Sequence, residues 1–293
     1  MIKFDLASKY INLLKTSLLN ELYIENEARI LYTFINRLNG GFVNFNDYFD
    51  IAKSKPAVID SLRDAKSSGN TIILLQKMAD GTTRKAYELR NLIELSHTMI
   101  GKKRLDNLQH CVETVISENI PGDFIETGIW RGGACIFMRG ILAAYGVTDR
   151  TVWAADSFEG VPPPTWPEDA GFDISRDVLP VLAVSLEDVQ QLFRRYGLLD
   201  DNVRFLKGWF KDSLPGAPIE KLSILRLDGD LYESTMTALD PLFDKVSRGG
   251  FVIVDDYGSC PPCKRAVDDF RAQRGLTDAL QVIDGQSVYW RKS

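Results

Sequence analysis

The chain has 293 residues, 45% of them hydrophobic and 26% charged, with a net charge of −5 at pH 7. That is an ordinary globular composition, acidic where a nucleic-acid surface would be basic. No apolar run approaches the ~20 residues of a membrane helix, so neither nucleic acid nor membrane is expected as a partner.

The N-terminal stretch MIKFDLASKYINLL carries Asp5 and Lys9 inside its apolar pattern. This fits an amphipathic helix and not a secretory signal. Leu6, Tyr10, Ile11, Leu13, Leu14 and Leu18 fall on one broad stripe. Residues 21–90 mix short helical pieces with polar breaks at Gly40-Gly41, Lys66-Ser67-Ser68-Gly69 and Asp80-Gly81. Residues 1–95 are therefore expected to be a helical extension. Its apolar stripes need a partner surface, as a lid or as a homo-oligomer contact.

Ser96 to Gly101 breaks the pattern, and a helix is expected from about Arg104 to Glu118. From there strands and helices alternate. Strands are expected at Asp123–Thr127, Thr151–Asp156 and Val203–Lys207, with helices at Gly132–Tyr145 and Leu186–Tyr196. A Pro-rich loop, Gly160 to Asp177, separates the second strand from its helix. The stretch LSILRLDGDLYESTMTALDPLFDKVSRGGFVIVDDY, Leu222 to Tyr257, reads as strand, helix, turn, strand. A helix from about Pro262 to Arg274 and two short strands, Leu280–Asp284 and Ser287–Arg291, complete the chain. Alternation of this kind predicts an α/β fold with a parallel sheet. The last two strands are too close for a crossover and must form an antiparallel hairpin. Five βα units and a terminal hairpin are the strand plan of class I methyltransferases, with a Rossmann-like sheet, here over residues 96–293.

Three strand ends carry the chemistry. The first runs into Glu126-Thr127-Gly128-Ile129-Trp130-Arg131-Gly132-Gly133. Glycine permits the tight strand-to-helix turn. Trp130 occupies the middle glycine of a dinucleotide fingerprint, where its bulk obstructs a pyrophosphate. The second ends at Asp156-Ser157-Phe158, where a carboxylate suits ribose hydroxyls or a turn cap. The third ends at Gly208-Trp209, where an aromatic ring suits adenine.

The Leu222–Tyr257 unit ends its strands in acids: Asp228 and Asp230, then Asp255 and Asp256. Parallel strands end on one edge, so these carboxylates converge. They stay ionised together only if a cation or hydrogen bonds compensate, and clustered carboxylates suit magnesium. Asp230 taken alone reads first as the cap of the following helix, and one of Asp255 and Asp256 reads alternatively as a turn cap. Of the four cysteines, Cys111 and Cys135 lie in apolar helical patterns and are expected as buried thiols in a reducing cytoplasm. Cys260 and Cys263 form a lone C-P-P-C, best explained by prolines at a helix start.

The segments DFIETGIWRGGACIFMRG, VWAADSFEG, YGLLDDNVRFLKGWFKD, LRLDGDLYESTM and GGFVIVDDY closely resemble the macrocin O-methyltransferase family, TylF-like and MycF-like. SHTMIGKKRLDNLQ and the terminal YWRKS also match. Residues 25–90 depart from the family pattern. The resemblance implies an S-adenosylmethionine (SAM)-dependent, magnesium-dependent methyltransferase that acts on a sugar hydroxyl of a glycosylated natural product, as in antibiotic biosynthesis. It places the metal on Asp228, Asp255 and Asp256. It places SAM on Glu126, Thr127, Gly128, Arg131 and Gly133, on Asp156, Ser157 and Phe158 at the ribose, and on Gly208 and Trp209 near adenine. Thr98 and Met99 then belong to a cofactor lid. Asp228 and His97 are the candidate bases. Two other classes remain: a nicotinamide-dependent oxidoreductase, disfavoured by Trp130, and a non-catalytic SAM-binding protein, disfavoured by the intact acidic set.

Overall fold

The computed structural model describes residues 2–68, 72–89 and 95–293. Two compact units divide the chain. One joins residues 1–11 to 104–293, and the other spans residues 12–103.

Helix α1 (Ile2–Leu18) leads from the first unit into the second. Among its described side chains the buried apolar ones are Ala7, Ile11, Leu14 and Leu18, with Lys15 also buried, whereas Leu6 and Leu13 are exposed. The stripe is thus narrower than the sequence suggests, with the i, i+4, i+7, i+11 spacing of one helical face. In residues 12–103, α2 (Ile24–Leu38) buries Ile24, Ala28, Leu31 and Tyr32. The two short helices α3 (Phe45–Phe49) and α4 (Ile51–Ser54) are followed by α5 (Pro56–Ser68). Ile51, Ile59, Leu62, Ala65 and Leu74 complete this unit's core. The unit is not helical throughout. Strands β1 (Ile72–Lys77) and β2 (Thr83–Leu89) form an antiparallel hairpin where sequence reading found only polar breaks. Inside this core Lys66 pairs with Glu27 at 2.9 Å and donates to the Leu19 carbonyl at 2.8 Å. A buried charge needs such partners.

The larger unit carries α6 (Gly101–Ser117, entered from the smaller unit), β3 (Asp123–Thr127), α7 (Gly133–Tyr145), β4 (Val152–Asp156), α8 (Leu186–Arg195), β5 (Val203–Lys207), α9 (Phe210–Ser213), β6 (Leu222–Leu227), α10 (Tyr232–Leu242), β7 (Val246–Val254), α11 (Pro261–Gln273), β8 (Gln281–Val282) and β9 (Val288–Arg291). The sheet order is β5-β4-β3-β6-β7-β9-β8. β3 to β7 run parallel, and β9 is antiparallel to both β7 and β8. This is the class I methyltransferase sheet. The central strands are buried along nearly their whole length, as parallel strands covered on both faces must be. Pro261 and Pro262 open α11, where their missing N–H groups leave no bond unmade.

The chain winds outward from β3 through β4 to β5, then returns to the other side of β3 to lay down β6 and β7. The reversal falls between β3 and β6. In open α/β sheets a ligand crevice forms there, at the carboxyl ends of the strands.

Candidate active site

Main-chain bonds carry the sheet one step beyond each strand end. Gly128 N donates to Ala155 O, Asp228 N to Thr127 O, Asp255 N to Leu227 O and Gly208 N to Asp156 O, each at 2.9 Å. The functional loops therefore start level along one edge. Gly128 has φ +83°, and a Cβ there would lie 1.8 Å from the Asp228 carbonyl. Only glycine fits such a contact.

Asp228, Asp255 and Asp256 converge as the sequence suggested: one ligand atom from each lies within 4.8 Å of the others. Two arginines that sequence reading did not single out organise them. Arg226, 1% exposed on β6, donates from Nη1 to Glu126 Oε1 at 2.5 Å and to Asp228 Oδ2 at 2.6 Å. Its Nη2 bonds Asp255 Oδ1. Arg104, on α6, bonds Asp255 Oδ2 and reaches Asp284 Oδ2 at 2.9 Å. A lone arginine inside the apolar run LSILRL was the available signal, since a buried guanidinium must find acids.

Two guanidiniums thus bond Glu126, Asp228, Asp255 and Asp284, with Asp230 and Asp256 beside them, and negative charge is left over. Burial and the neighbouring Asp255 push the Asp228 pKa upward. Burial, then the charges of Asp230, Asp228 and Asp255, push Asp256 well up. Asp256 is 7% exposed, and its Oδ2 is buried without a hydrogen-bond partner.

Asp230 does not cap the helix after it. Leu231 occupies the N-cap position without a side-chain bond. The capping acid is Asp169, fully buried and supplied by the Pro-rich loop; it accepts from Tyr232 N at 2.6 Å and Glu233 N at 3.1 Å. Asp230 itself sits at φ +59°, a conformation that costs a non-glycine residue about 1–2 kcal/mol. Burial and Asp228 raise its pKa to about 7, and its Oδ1 lies 3.5 Å from Cys260 Sγ.

On the β3 side, Glu126 is sealed at 2% exposure, bonded by Arg226 on one oxygen and by the Cys135 thiol on the other at 3.0 Å. Burial raises its pKa to about 7. Thr127 and Gly133 are buried with it, whereas Gly128 and Arg131 reach partial exposure. Trp130 is held at φ +48° by its Nε1 bond to Val181 O, with the Arg131 guanidinium 4.3 Å over its ring. Asp156 Oδ2 accepts from Ile129 N at 2.8 Å and Oδ1 from Phe158 N at 2.7 Å. It thereby ties the β3 loop to the β4 loop, and burial raises its pKa. Ser157 donates to Gly160 O at 2.8 Å, and Phe158 packs edge-on against Phe205. Gly208 is half-buried and Trp209 is 36% exposed at the end of β5. His97, Thr98 and Met99 belong to the smaller unit. There His97 N donates to Leu18 O at 2.8 Å, and Thr98 and Met99 line a small cavity with Leu19, Ala65 and Lys66. Cys111, Cys135, Cys260 and Cys263 are all buried free thiols.

With this edge in view, comparison with known proteins decides the family. The model of the macrocin O-methyltransferase (TylF) family matches residues 7–292. The chain belongs to that family. Among its relatives, a demethyldecarbamoylnovobiocin O-methyltransferase of Streptomyces niveus is 58% identical over 203 residues, 68% of this chain and 76% of that one. An 8-demethyl-8-(2,3-dimethoxy-alpha-L-rhamnosyl)-tetracenomycin-C 4'-O-methyltransferase of Streptomyces olivaceus is 54% identical over 210 residues, 69% of this chain and 78% of that one. The solved structure of the O-methyltransferase NovP matches with a TM-score of 0.74 and 42% identity, over 98% of this chain and 99% of that one. The protein is thus an O-methyltransferase, and the methyltransferase fold implies SAM as its methyl donor. Among the described residues no helix is long and apolar enough to cross a membrane.

Proposed function

We propose that this TylF-family enzyme transfers a methyl group from SAM to a sugar hydroxyl of a glycosylated small molecule, with a magnesium ion held by Asp228, Asp255 and Asp256. The acceptor class follows the relatives, one of which carries a rhamnosyl group in its substrate's name. One observation supports the metal most directly. Asp256 Oδ2 is a buried carboxylate oxygen with no partner, inside a set whose donors lie within 4.8 Å of one another. Leaving such an atom unpaired is costly, and an all-oxygen donor set fits a hard cation. When bound, the ion would lower the pKa of an acceptor hydroxyl and orient it.

The chain's own residues do the rest. Arg226 and Arg104 hold the carboxylates of Asp228 and Asp255 in fixed orientations through charged hydrogen bonds, the strong kind. We assign the proton-accepting role to Asp230 in preference to Asp228 or His97. Asp228 Oδ2 already carries a guanidinium, whereas among the described residues no arginine bonds Asp230, which lies beside the trio proposed for magnesium without belonging to it. Gly128 offers its main chain to the methionine end of SAM, with Arg131 beside it. Glu126, Thr127 and Gly133 act from beneath, as the buried support of that loop. Asp156, with Ser157 and Phe158, holds the β3 and β4 loops together and presents its remaining lone pairs to the ribose. Trp209, next to Gly208, provides an aromatic face for adenine, and Thr98 and Met99 remain lid candidates.

The test is calorimetry with SAM and magnesium, then methyl transfer to demethyldecarbamoylnovobiocin, mycinamicin III and free deoxysugars. SAM binding and magnesium-dependent methylation of a glycosylated member support the reading. Transfer unchanged after exhaustive chelation overturns the metal part, and methylation of none of the glycosylated members overturns the acceptor class.

A further inference from the structure

Asp256 belongs to two donor sets. Besides the carboxylate trio, one ligand atom each from Asp230, Asp256 and Cys260 lie within 4.8 Å of one another. Nothing in the proposed methyl transfer uses Cys260. It is 7% exposed at the N-cap of α11, and its main-chain N–H donates to the Asp256 carbonyl at 2.9 Å, which fixes the thiol beside that residue. Asp230 is released for this set because Asp169 caps α10 in its place. The unpartnered, 7%-exposed Asp256 supplies a donor with no competing bond on Oδ2.

The spacing accommodates a particular ion class. Bond lengths of about 2.3 Å to sulfur and 2.0–2.2 Å to oxygen, at a tetrahedral angle, put the two donors roughly 3.5 to 3.7 Å apart. Cys260 Sγ and Asp230 Oδ1 are 3.5 Å apart. One sulfur and two carboxylates suit zinc, while magnesium takes oxygen alone. We propose that Asp230, Asp256 and Cys260 form a second metal site, selective for a thiophilic divalent ion of the zinc class, whose occupation draws Asp256 from the carboxylate trio and inhibits the enzyme. In the metal-free protein the thiol keeps its proton and the 3.5 Å contact is an S–H···O bond. On binding, the S–H bond breaks, its proton passes to solvent, and the sulfur lone pair forms the metal–sulfur bond. The binding half stands alone; the inhibitory half rests on the proposed roles of Asp256 and Asp230.

The experiment titrates the full-length protein with zinc against a chromophoric chelator, and with cobalt(II) as an optical reporter. Wild type and Cys263→Ala are expected to show a thiolate-to-cobalt charge-transfer band, and Cys260→Ala is not. Cys260→Ala should also weaken zinc by about tenfold or more, because the thiolate is the donor that selects zinc. At fixed magnesium, zinc should inhibit wild type, while Cys260→Ala keeps its turnover and resists zinc. A charge-transfer band or undiminished zinc affinity in Cys260→Ala overturns the site. A band in wild type without zinc inhibition overturns the inhibitory half. If chelation leaves methyl transfer untouched, the magnesium reading fails while the cobalt band still decides the zinc site.

Discussion

Asp169 accepts the main-chain N–H of Tyr232 across 63 positions of sequence, at 2.6 Å. The loop between β4 and α8 therefore caps the helix that follows the acidic strand end, and Asp230 is left beside Asp256.

Replacing Asp169 with Ala should destabilise the fold by about 1–2 kcal/mol, the usual cost of losing an N-cap acceptor. A urea midpoint shift at unchanged slope measures it. SAM affinity should change little. An unchanged midpoint would mean that the cap contributes nothing.

Arg226→Met leaves Glu126 and Asp255 buried without their shared cation. Breaking one side of a buried ionic network costs about 3–5 kcal/mol, so this variant should unfold at markedly lower denaturant. Arg226→Lys keeps the charge without the fork and should fall between it and wild type. If the lysine and methionine variants are equally unstable, the fork geometry and not the charge carries the stabilisation.

Asp228→Asn, Asp255→Asn and Asp256→Asn keep shape and remove charge. Each should cut methyl transfer by roughly 10²-fold or more, equivalent to ~3 kcal/mol of barrier, with SAM affinity changed far less. Chelator should silence the wild type and magnesium restore it. Loss of SAM binding and of stability together in all three would mark the carboxylates as structural.

Asp230→Asn should lower the rate of methyl transfer. Stability of the metal-free protein should depend on pH. Glu126 and Asp230 titrate at about 7 when folded, against 4.5 and 3.8 as their ordinary values. Between those limits the folded protein holds protons that the unfolded chain has released, so stability falls as pH rises through the window. Melting temperatures from pH 4 to 7.5 check the sign, and Asp230→Asn should remove part of the slope.

The strand ends were legible in the sequence because apolar runs stop abruptly at Asp228 and Asp255, and a parallel sheet brings such stops together. The motifs around Gly128, Asp156 and Gly208 lie along the same edge. Arg226 was visible as a lone charge in an apolar strand, but its partners come from β3, β6 and β7, and pattern alone does not connect them. The cap supplied by Asp169 escaped for the same reason: helix-start signals are local, and this one is 63 residues away. Leu6 and Leu13 were misplaced on the α1 stripe because several apolar residues compete for one face, and only packing selects among them. The break at Asp80-Gly81 is the turn between β1 and β2, and strands this short on either side of it carry little pattern of their own.

At Gly128 the backbone of the β3 loop touches the Asp228 carbonyl so closely that even a methyl group has no room. The loop proposed to face the methyl donor and the loop that bears the acids are therefore one mechanical piece, spaced by main chain alone. Side-chain substitution elsewhere can reshape what the enzyme accepts, yet it leaves this spacing as it was. Gly128→Ala should therefore end methyl transfer to every acceptor alike.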